Sequence, residues 1–105
     1  MNIANEIRNK IDALEKVRGV IKERGENKAR MLAEYDKTMA IEIIQLKMDG
    51  QSVTLIDKIA RGNCYRQKLD METADAMLKS ATTNLQALIV EITALQSLLR
   101  HLDNS

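Results

Sequence analysis

The sequence lacks the residues that most often interrupt regular structure. It contains no proline, phenylalanine or tryptophan, and it has four glycines, two tyrosines and one cysteine among its 105 residues. Proline and glycine are the strongest breaks in a helical pattern, so their scarcity predicts few, long elements. Strands are typically built from β-branched and aromatic runs bounded by turn residues, and no such run occurs. These absences predict an all-α protein with an aliphatic interior.

An excess of charge is also missing. The 16 Lys and Arg residues nearly balance the 15 Asp and Glu residues, which argues against a general binder of polyanions. Basic residues are concentrated in residues 8–30, where they could contact phosphates, but no aromatic side chains accompany them for stacking on bases. The favoured interpretation of this segment is a solvated helix face.

The single cysteine, Cys64, excludes an intrachain disulfide, which suits a reducing cytoplasm. Arg61, Arg66 and Lys68 lie nearby in sequence and could lower the pKa of its thiol, although a structural cysteine is the favoured interpretation. The N-terminal segment is charged and lacks the apolar core of a signal peptide. No segment approaches the length of a membrane span. The sequence therefore predicts a cytoplasmic protein that does not enter a membrane.

Residue types that carry catalysis or hold metals are sparse. His101, the only histidine, falls in the last predicted helical turn, where its interaction with the helix dipole explains it better than catalysis does. Asp70, Glu72 and Asp75 cluster in the first turns of a predicted helix, where acids are expected in any case. We therefore expect no enzymatic activity, no metal site and no cofactor.

The clearest pattern is a heptad repeat in the C-terminal half, where five consecutive heptads carry an apolar residue at every a and d position. Such a stripe is typical of a helix packed along a coiled-coil seam, and it predicts a helix over residues 64–102. Alanine fills the first two d positions, Ala74 and Ala81. The large side chains form the predicted hairpin and oligomer seam, which comprises Met71, Leu78, Leu85, Leu88, Ile92, Leu95, Leu99 and Leu102.

The N-terminal half predicts another long helix, over residues 3–48, because its apolar residues step by threes and fours. Gly19 and Gly25 each cost about 1 kcal/mol relative to alanine in a helix interior, so they indicate a bend or a close crossing. One continuous helix is favoured, and a break at the residues RGEN, 24–27, is the alternative.

Two helices of similar length with a short connector, residues 49–63, are expected to fold back on each other. The predicted fold is an antiparallel, coiled-coil-like hairpin within a single domain, residues 1–105. A lone hairpin buries one face of each helix, so some apolar side chains would remain in water. These are Ile41, Ile44, Ile89, Val90 and Leu98. The sequence therefore predicts that oligomerisation, most simply as a homodimer, completes a helical bundle.

The connector carries the signals of a short helix. Gly50 is placed to end the first helix as a C′ glycine. Ser52 is a suitable N-cap, and Thr54 with Asp57 could form a capping box instead. The short helix is expected to have an apolar face and to end where two residues tolerate positive φ. The face comprises Val53, Ile56, Ile59 and Ala60, and the end comprises Gly62 and Asn63.

The connector also has the approximate layout of a DNA-binding helix-turn-helix. That motif needs a small residue about four positions before its turn glycine and an apolar residue about six positions after it. Here those positions hold Lys58 and Lys68, so the favoured interpretation is a capped short helix at the end of the hairpin. Four side chains remain possible contacts to nucleic acid or another partner. They are Arg61, Arg66, Gln67 and Lys68.

Two stretches are distinctive: SVTLIDKIARGNCYRQKLD after the first helix and the closing ALIVEITALQSLLRHL. Through them, roughly the last 60 residues of the chain resemble small helical proteins that are encoded by phages and prophages of Gram-positive bacteria. Genes of that group lie among early genes for DNA recombination and replication. The resemblance implies a cytoplasmic accessory role in the infected host cell, and it transfers no functional residue.

The predicted function is that of a non-enzymatic helical interaction or assembly protein whose partners are further copies of itself and a host or phage protein. One alternative is a nucleic-acid-associated accessory factor of phage recombination or replication. Another is an inhibitor that occupies a host defence protein or sequesters a signalling nucleotide.

Overall fold

The structure of the chain, a computed structural model, describes residues 2–104. Within that range it contains three α-helices and no strand: α1 over Ile3–Met48, α2 over Val53–Asn63 and α3 over Tyr65–Asp103. The predicted all-α class is therefore confirmed. Helix α1 runs without a break through Gly19 and Gly25, and no atom beyond the neighbouring backbone lies within 4 Å of a Cβ built at either glycine. Of the two alternatives, a bend or a close crossing, the close crossing is therefore excluded at these glycines.

The chain divides into two compact units, and α1 and α3 contribute to both. The terminal unit combines α1 up to Glu23 with α3 from Leu78 onward. The turn unit comprises Arg24–Met77 and includes all of α2.

In the terminal unit, the heptad stripe of α3 forms the packed face. Ala81, Leu88 and Ile92 are buried, because they occupy a and d positions that fall on one side of the helix. The remaining stripe residues, apart from the last, are half-buried: Leu78, Leu85, Leu95 and Leu99. Leu102 is 51% exposed. The packed stripe of the isolated chain therefore ends at Leu99, the member of the heptad stripe that precedes Leu102.

Helix α1 of the terminal unit contributes a matching stripe of half-buried side chains, at Ile7, Leu14, Val17 and Ile21. An ion pair joins the two helices, with 2.6 Å between Lys10 Nζ and Glu91 Oε2. Its hydrogen bond, and the charge of the carboxylate, raise the pKa of the Lys10 amine.

In the turn unit, the core forms where α2 packs on the end of α1. Leu46, Ile56 and Ala60 are buried together, and three half-buried side chains pack against them, namely Met39, Ile43 and Ile59. Met71 is half-buried and Ala74 is buried, so the α3 stripe continues into this unit.

Polar contacts between α1 and the chain after the turn show antiparallel pairing within the turn unit. Lys28 Nζ lies 2.8 Å from Asp75 Oδ1, and Lys68 Nζ lies 5.3 Å from the centre of the Tyr35 ring. Asp75 follows Lys68 on α3, but its partner Lys28 precedes Tyr35 on α1. The two helix segments therefore pack antiparallel, as predicted.

The turn after α1 is closed by Gly50, as expected. Gly50 has φ +79°, a left-handed conformation that glycine adopts without the steric cost of a Cβ. The N–H of Gly50 donates to the carbonyl of Lys47 at 3.1 Å, and the N–H of Gln51 donates to the carbonyl of Leu46 at 3.1 Å. These two bonds form a Schellman motif, which satisfies carbonyls that the helix end leaves without partners.

The ends of α2 differ from the predictions in detail. Ser52 is the N-cap residue, but its hydroxyl pairs with the Thr54 hydroxyl at 3.0 Å and makes no capping hydrogen bond to the backbone. The alternative capping box of Thr54 with Asp57 is absent as well, because the Asp57 carboxylate pairs with Arg61 instead. Gly62 lies inside the helix without positive φ, since α2 passes into α3 with no reversal that would need a left-handed residue.

Candidate interaction surfaces

The junction of α2 and α3 consists of one residue, Cys64, whose φ is −100° and ψ is 20°. A helix-turn-helix motif joins its helices through a turn of about three to four residues. Because Gly62 and Asn63 belong to α2 and Tyr65 begins α3, the chain has no room for such a turn. The geometry therefore contradicts the helix-turn-helix interpretation of this stretch.

The four possible contact residues lie on both sides of the junction, and acids balance two of them. Arg61 Nη2 lies 2.9 Å from Asp57 Oδ2, and Lys68 Nζ lies 3.6 Å from Glu72 Oε1. Arg66 is exposed and Gln67 is half-buried. Ion pairs within a helix reduce the local positive potential, so these residues form a mixed surface and no basic stripe.

The Cys64 thiol is buried, with 1% of the residue exposed. Desolvation raises the pKa of the thiol, and the nearby Glu42 carboxylate raises it further because it repels the thiolate. A hydrogen bond of 2.6 Å from Asn63 Nδ2 to Glu42 Oε1 holds this carboxylate beside the junction. The sequence suggestion that neighbouring cations lower this pKa is therefore wrong, because burial and Glu42 outweigh them.

Two of the three acids considered for a metal site, Asp70, Glu72 and Asp75, pair with lysines. Glu72 pairs with Lys68, and Asp75 pairs with Lys28. Among residues 2–104 no group of three or more His, Cys, Asp or Glu side chains is arranged to hold a metal ion. His101 is exposed in the last turn of α3.

A shallow cleft in the turn unit is lined by Lys28, Leu32, Met71, Glu72 and Asp75. The cleft already contains the ion pair between Lys28 and Asp75. An arriving ligand would have to compete with this pair.

Apolar side chains in water are the most prominent surface feature. The five that the sequence predicted to remain outside the hairpin are all exposed, by 43% to 67%: Ile41, Ile44, Ile89, Val90 and Leu98. Exposed apolar residues are informative where they are contiguous, and Ile41 and Ile44 lie one turn apart on the same face of α1.

Further exposed apolar residues were not predicted. Val53 was assigned to the packed face of α2 but is 83% exposed, because it begins the helix before the point where α2 meets α1. Other such residues in the turn unit are Met48, Leu55, Tyr65 and Leu69. Met48 continues the three-and-four spacing of Ile41 and Ile44, a signal that was available in the sequence.

The part of the chain that the structure describes has no helix with both the length and the apolar character required to cross a membrane. Comparisons with protein-family models, with curated proteins and with solved structures found no match to this chain. The fold and its surfaces thus define an all-α helical protein. The resemblance to phage and prophage proteins stays a prediction.

Proposed function

We propose that this chain is a non-enzymatic helical protein that works by associating with further copies of itself and presenting the assembled surface to another protein. The observation that carries the proposal is the row of large apolar side chains on the side of α1 that faces away from its packed residues. Ile41, Ile44 and Met48 are 57%, 58% and 75% exposed.

The energetic reason is the amount of apolar surface left in water. Full burial of an Ile or Met side chain contributes about 1.5–3 kcal/mol relative to full exposure, and association must exceed a cost of about 4–15 kcal/mol. A self-association that buries such side chains from both copies can meet that cost. Among residues 2–104 the three helices leave these side chains exposed in the single copy.

The site chemistry supports an interaction role over the alternatives. The buried Cys64 is held as a thiol by its surroundings, which disfavours a nucleophilic role. Two of the four possible nucleic-acid contacts, Arg61 and Lys68, are paired with acids on their own helices. The resemblance noted in the sequence would assign the interaction role to an accessory protein of a phage or prophage, and the genes adjacent to this one would test that assignment.

The experiment is size-exclusion chromatography with multi-angle light scattering at concentrations from micromolar to millimolar. We expect a mass of at least twice 11.9 kDa at the upper end of that range. A monomer mass at every concentration would contradict self-association. A pull-down from the native host, with the assembled protein as bait, would then identify the second partner.

A further inference from the structure

We propose that Asp49 and Gly50 form a site of spontaneous covalent modification, at which the Asp49 side chain cyclises onto the backbone nitrogen of Gly50 and reopens as isoaspartate. The site is independent of the proposed self-association. Its chemistry depends on this one peptide bond and on the hydrogen bonds that hold the turn after α1.

The reaction needs no partner other than water. The backbone nitrogen of the residue after an aspartate attacks Cγ, and the carboxyl hydroxyl leaves as water together with the proton of that nitrogen. Water then adds to the resulting succinimide ring. Addition at the main-chain carbonyl carbon breaks its bond to the nitrogen and leaves the chain linked through Cβ and Cγ, whereas addition at Cγ restores aspartate. No oxidant or reductant is consumed.

Asp49 is the aspartate at which the following residue leaves this attack unhindered. Gly50 has no side chain, and apart from its chain neighbours no atom lies within 4 Å of the place that a Cβ would occupy. Every other aspartate precedes a residue with a side chain and lies within α1, α2 or α3. Ring closure is therefore favoured at Asp49 over the other aspartates.

Exposed hydrogen bonds of the folded turn restrain the reaction. The N–H of Gly50 donates to the carbonyl of Lys47 at 3.1 Å, and Gln45 Nε2 donates to Asp49 Oδ1 at 3.1 Å. Both bonds must break before the Gly50 nitrogen can reach Cγ of Asp49. All residues in the range 47–55 are exposed, so the turn can open without unpacking a buried side chain. Local opening of this kind costs less free energy than global unfolding.

Isoaspartate would change the turn in which it forms. The main chain then contains an extra carbon between Cα of Asp49 and the nitrogen of Gly50. The N–H of Gly50 consequently loses the position from which it donates to the carbonyl of Lys47, and the Schellman motif at the end of α1 is disrupted. The modification thus records an opening of the turn and keeps the turn loosened afterwards.

The test is peptide mapping of the full chain after incubation at physiological temperature and pH, either folded or unfolded in guanidinium chloride. Trypsin releases residues 48–58, which contain Asp49 and, as an internal control, Asp57. Electron-transfer fragmentation distinguishes isoaspartate from aspartate, and oxygen-18 water labels each ring that has reopened. We expect isoaspartate at Asp49 and none at Asp57, with formation about tenfold slower in the folded chain than in the unfolded chain.

Gln45→Ala tests whether the turn controls the reaction. The variant lacks the hydrogen bond to Asp49 Oδ1, so we expect the rate in the folded chain to rise by about twofold to tenfold. The rate in guanidinium chloride should stay that of the wild type. Gln96→Ala, which changes an exposed glutamine of α3, is the matched control and should leave both rates unchanged. Circular dichroism checks that each variant remains helical.

The outcomes separate the site from its control and from the proposed function. Absence of isoaspartate at Asp49 in the folded chain, or equal amounts at Asp49 and Asp57, would overturn the site. Equal rates in the folded and unfolded chain, or a folded Gln45→Ala chain that reacts as slowly as the wild type, would overturn control by the turn. A monomeric wild type would contradict the proposed self-association and leave the modification site standing.

Discussion

At the scale of single residues, the glycines show how one conformation decides the effect of a substitution. Gly50 has φ +79°, where a side chain is strained whatever space surrounds it. Gly19 lies in a regular helix, and apart from the neighbouring backbone of that helix a Cβ there would meet no atom within 4 Å. The same change to alanine should therefore have opposite effects at these two positions.

We expect Gly50→Ala to lower the free energy of unfolding by about 1–2 kcal/mol, the cost of a left-handed conformation for an L residue. Gly19→Ala should raise it by about 0.4–1 kcal/mol, because alanine restricts the unfolded chain and favours the helix. Urea denaturation of the two variants beside the wild type measures both values. Equal signs would mean that the turn at Gly50 is not formed as described.

Cys64 gives a pH-dependent prediction. Its folded-state pKa is raised, so above the ordinary thiol pKa of about 8.5 the unfolded chain releases a proton that the folded chain retains. Stability from this group is complete below that pH and is lost as the pH rises toward the raised folded value. We expect the wild type to lose more stability than Cys64→Ala between neutral and alkaline pH, measured by urea denaturation. Identical pH profiles would contradict the buried-thiol environment.

At the scale of the elements, the heptad stripe of α3 has unequal members. Leu88 is 8% exposed and Leu102 is 51% exposed. Leu88→Ala should cost about 2–5 kcal/mol through lost burial and the cavity that remains, whereas Leu102→Ala should cost about 1 kcal/mol or less. Thermal or urea denaturation at low protein concentration tests this difference. A cost at Leu102 equal to that at Leu88 would place residue 102 inside the packed stripe.

The junction of α2 and α3 allows a test of the nucleic-acid alternative. Replacing Arg61, Arg66 and Lys68 by alanine removes the exposed Arg66 and two cations that pair with Asp57 and Glu72. Exposed ion pairs contribute about 0–1 kcal/mol each, so we expect the triple variant to fold and assemble as the wild type does.

A gel-shift titration with DNA and RNA at two salt concentrations completes this test. If the cations contact phosphates, wild-type affinity falls steeply with salt, and the triple variant flattens that slope by up to about three units. Sub-micromolar, salt-sensitive binding that the triple variant loses would promote the nucleic-acid role over the interaction role. We expect no such binding.

At the scale of the whole molecule, the amount of buried apolar material is small. Within residues 2–104 eight apolar residues are buried: Leu46, Ile56, Ala60, Cys64, Ala74, Ala81, Leu88 and Ile92. Three of these eight are alanines, which have small side chains. A small core gives a marginal free energy of unfolding. Assembly would add the burial that the single chain lacks.

Linked assembly makes stability depend on concentration. If the folded chain associates and the unfolded chain does not, the denaturation midpoint rises with protein concentration by mass action. We expect Tm to increase between micromolar and millimolar wild type and to stay constant for Ile44→Glu over the same range. A wild-type Tm that does not change with concentration would indicate that the apolar surface remains in water.

The sequence by itself determined the helices. Heptad spacing predicted the α3 stripe, the scarcity of breaking residues predicted the length of α1, and Gly50 marked the turn. These signals are local, because helix periodicity and capping act among residues a few positions apart. The exposed positions of Ile41 and Ile44 followed from the same periodicity.

The tertiary structure alone decided which side chains meet across helices. The exposure of Val53, the desolvation of Cys64 beside Glu42 and the contact of Lys68 with Tyr35 all depend on where α2 and α3 lie against α1. Sequence neighbours of Cys64 are cations, so a local interpretation gave its thiol pKa the wrong direction. Burial and charges from a distant part of the chain determine such properties, and neither is encoded in the spacing of nearby residues.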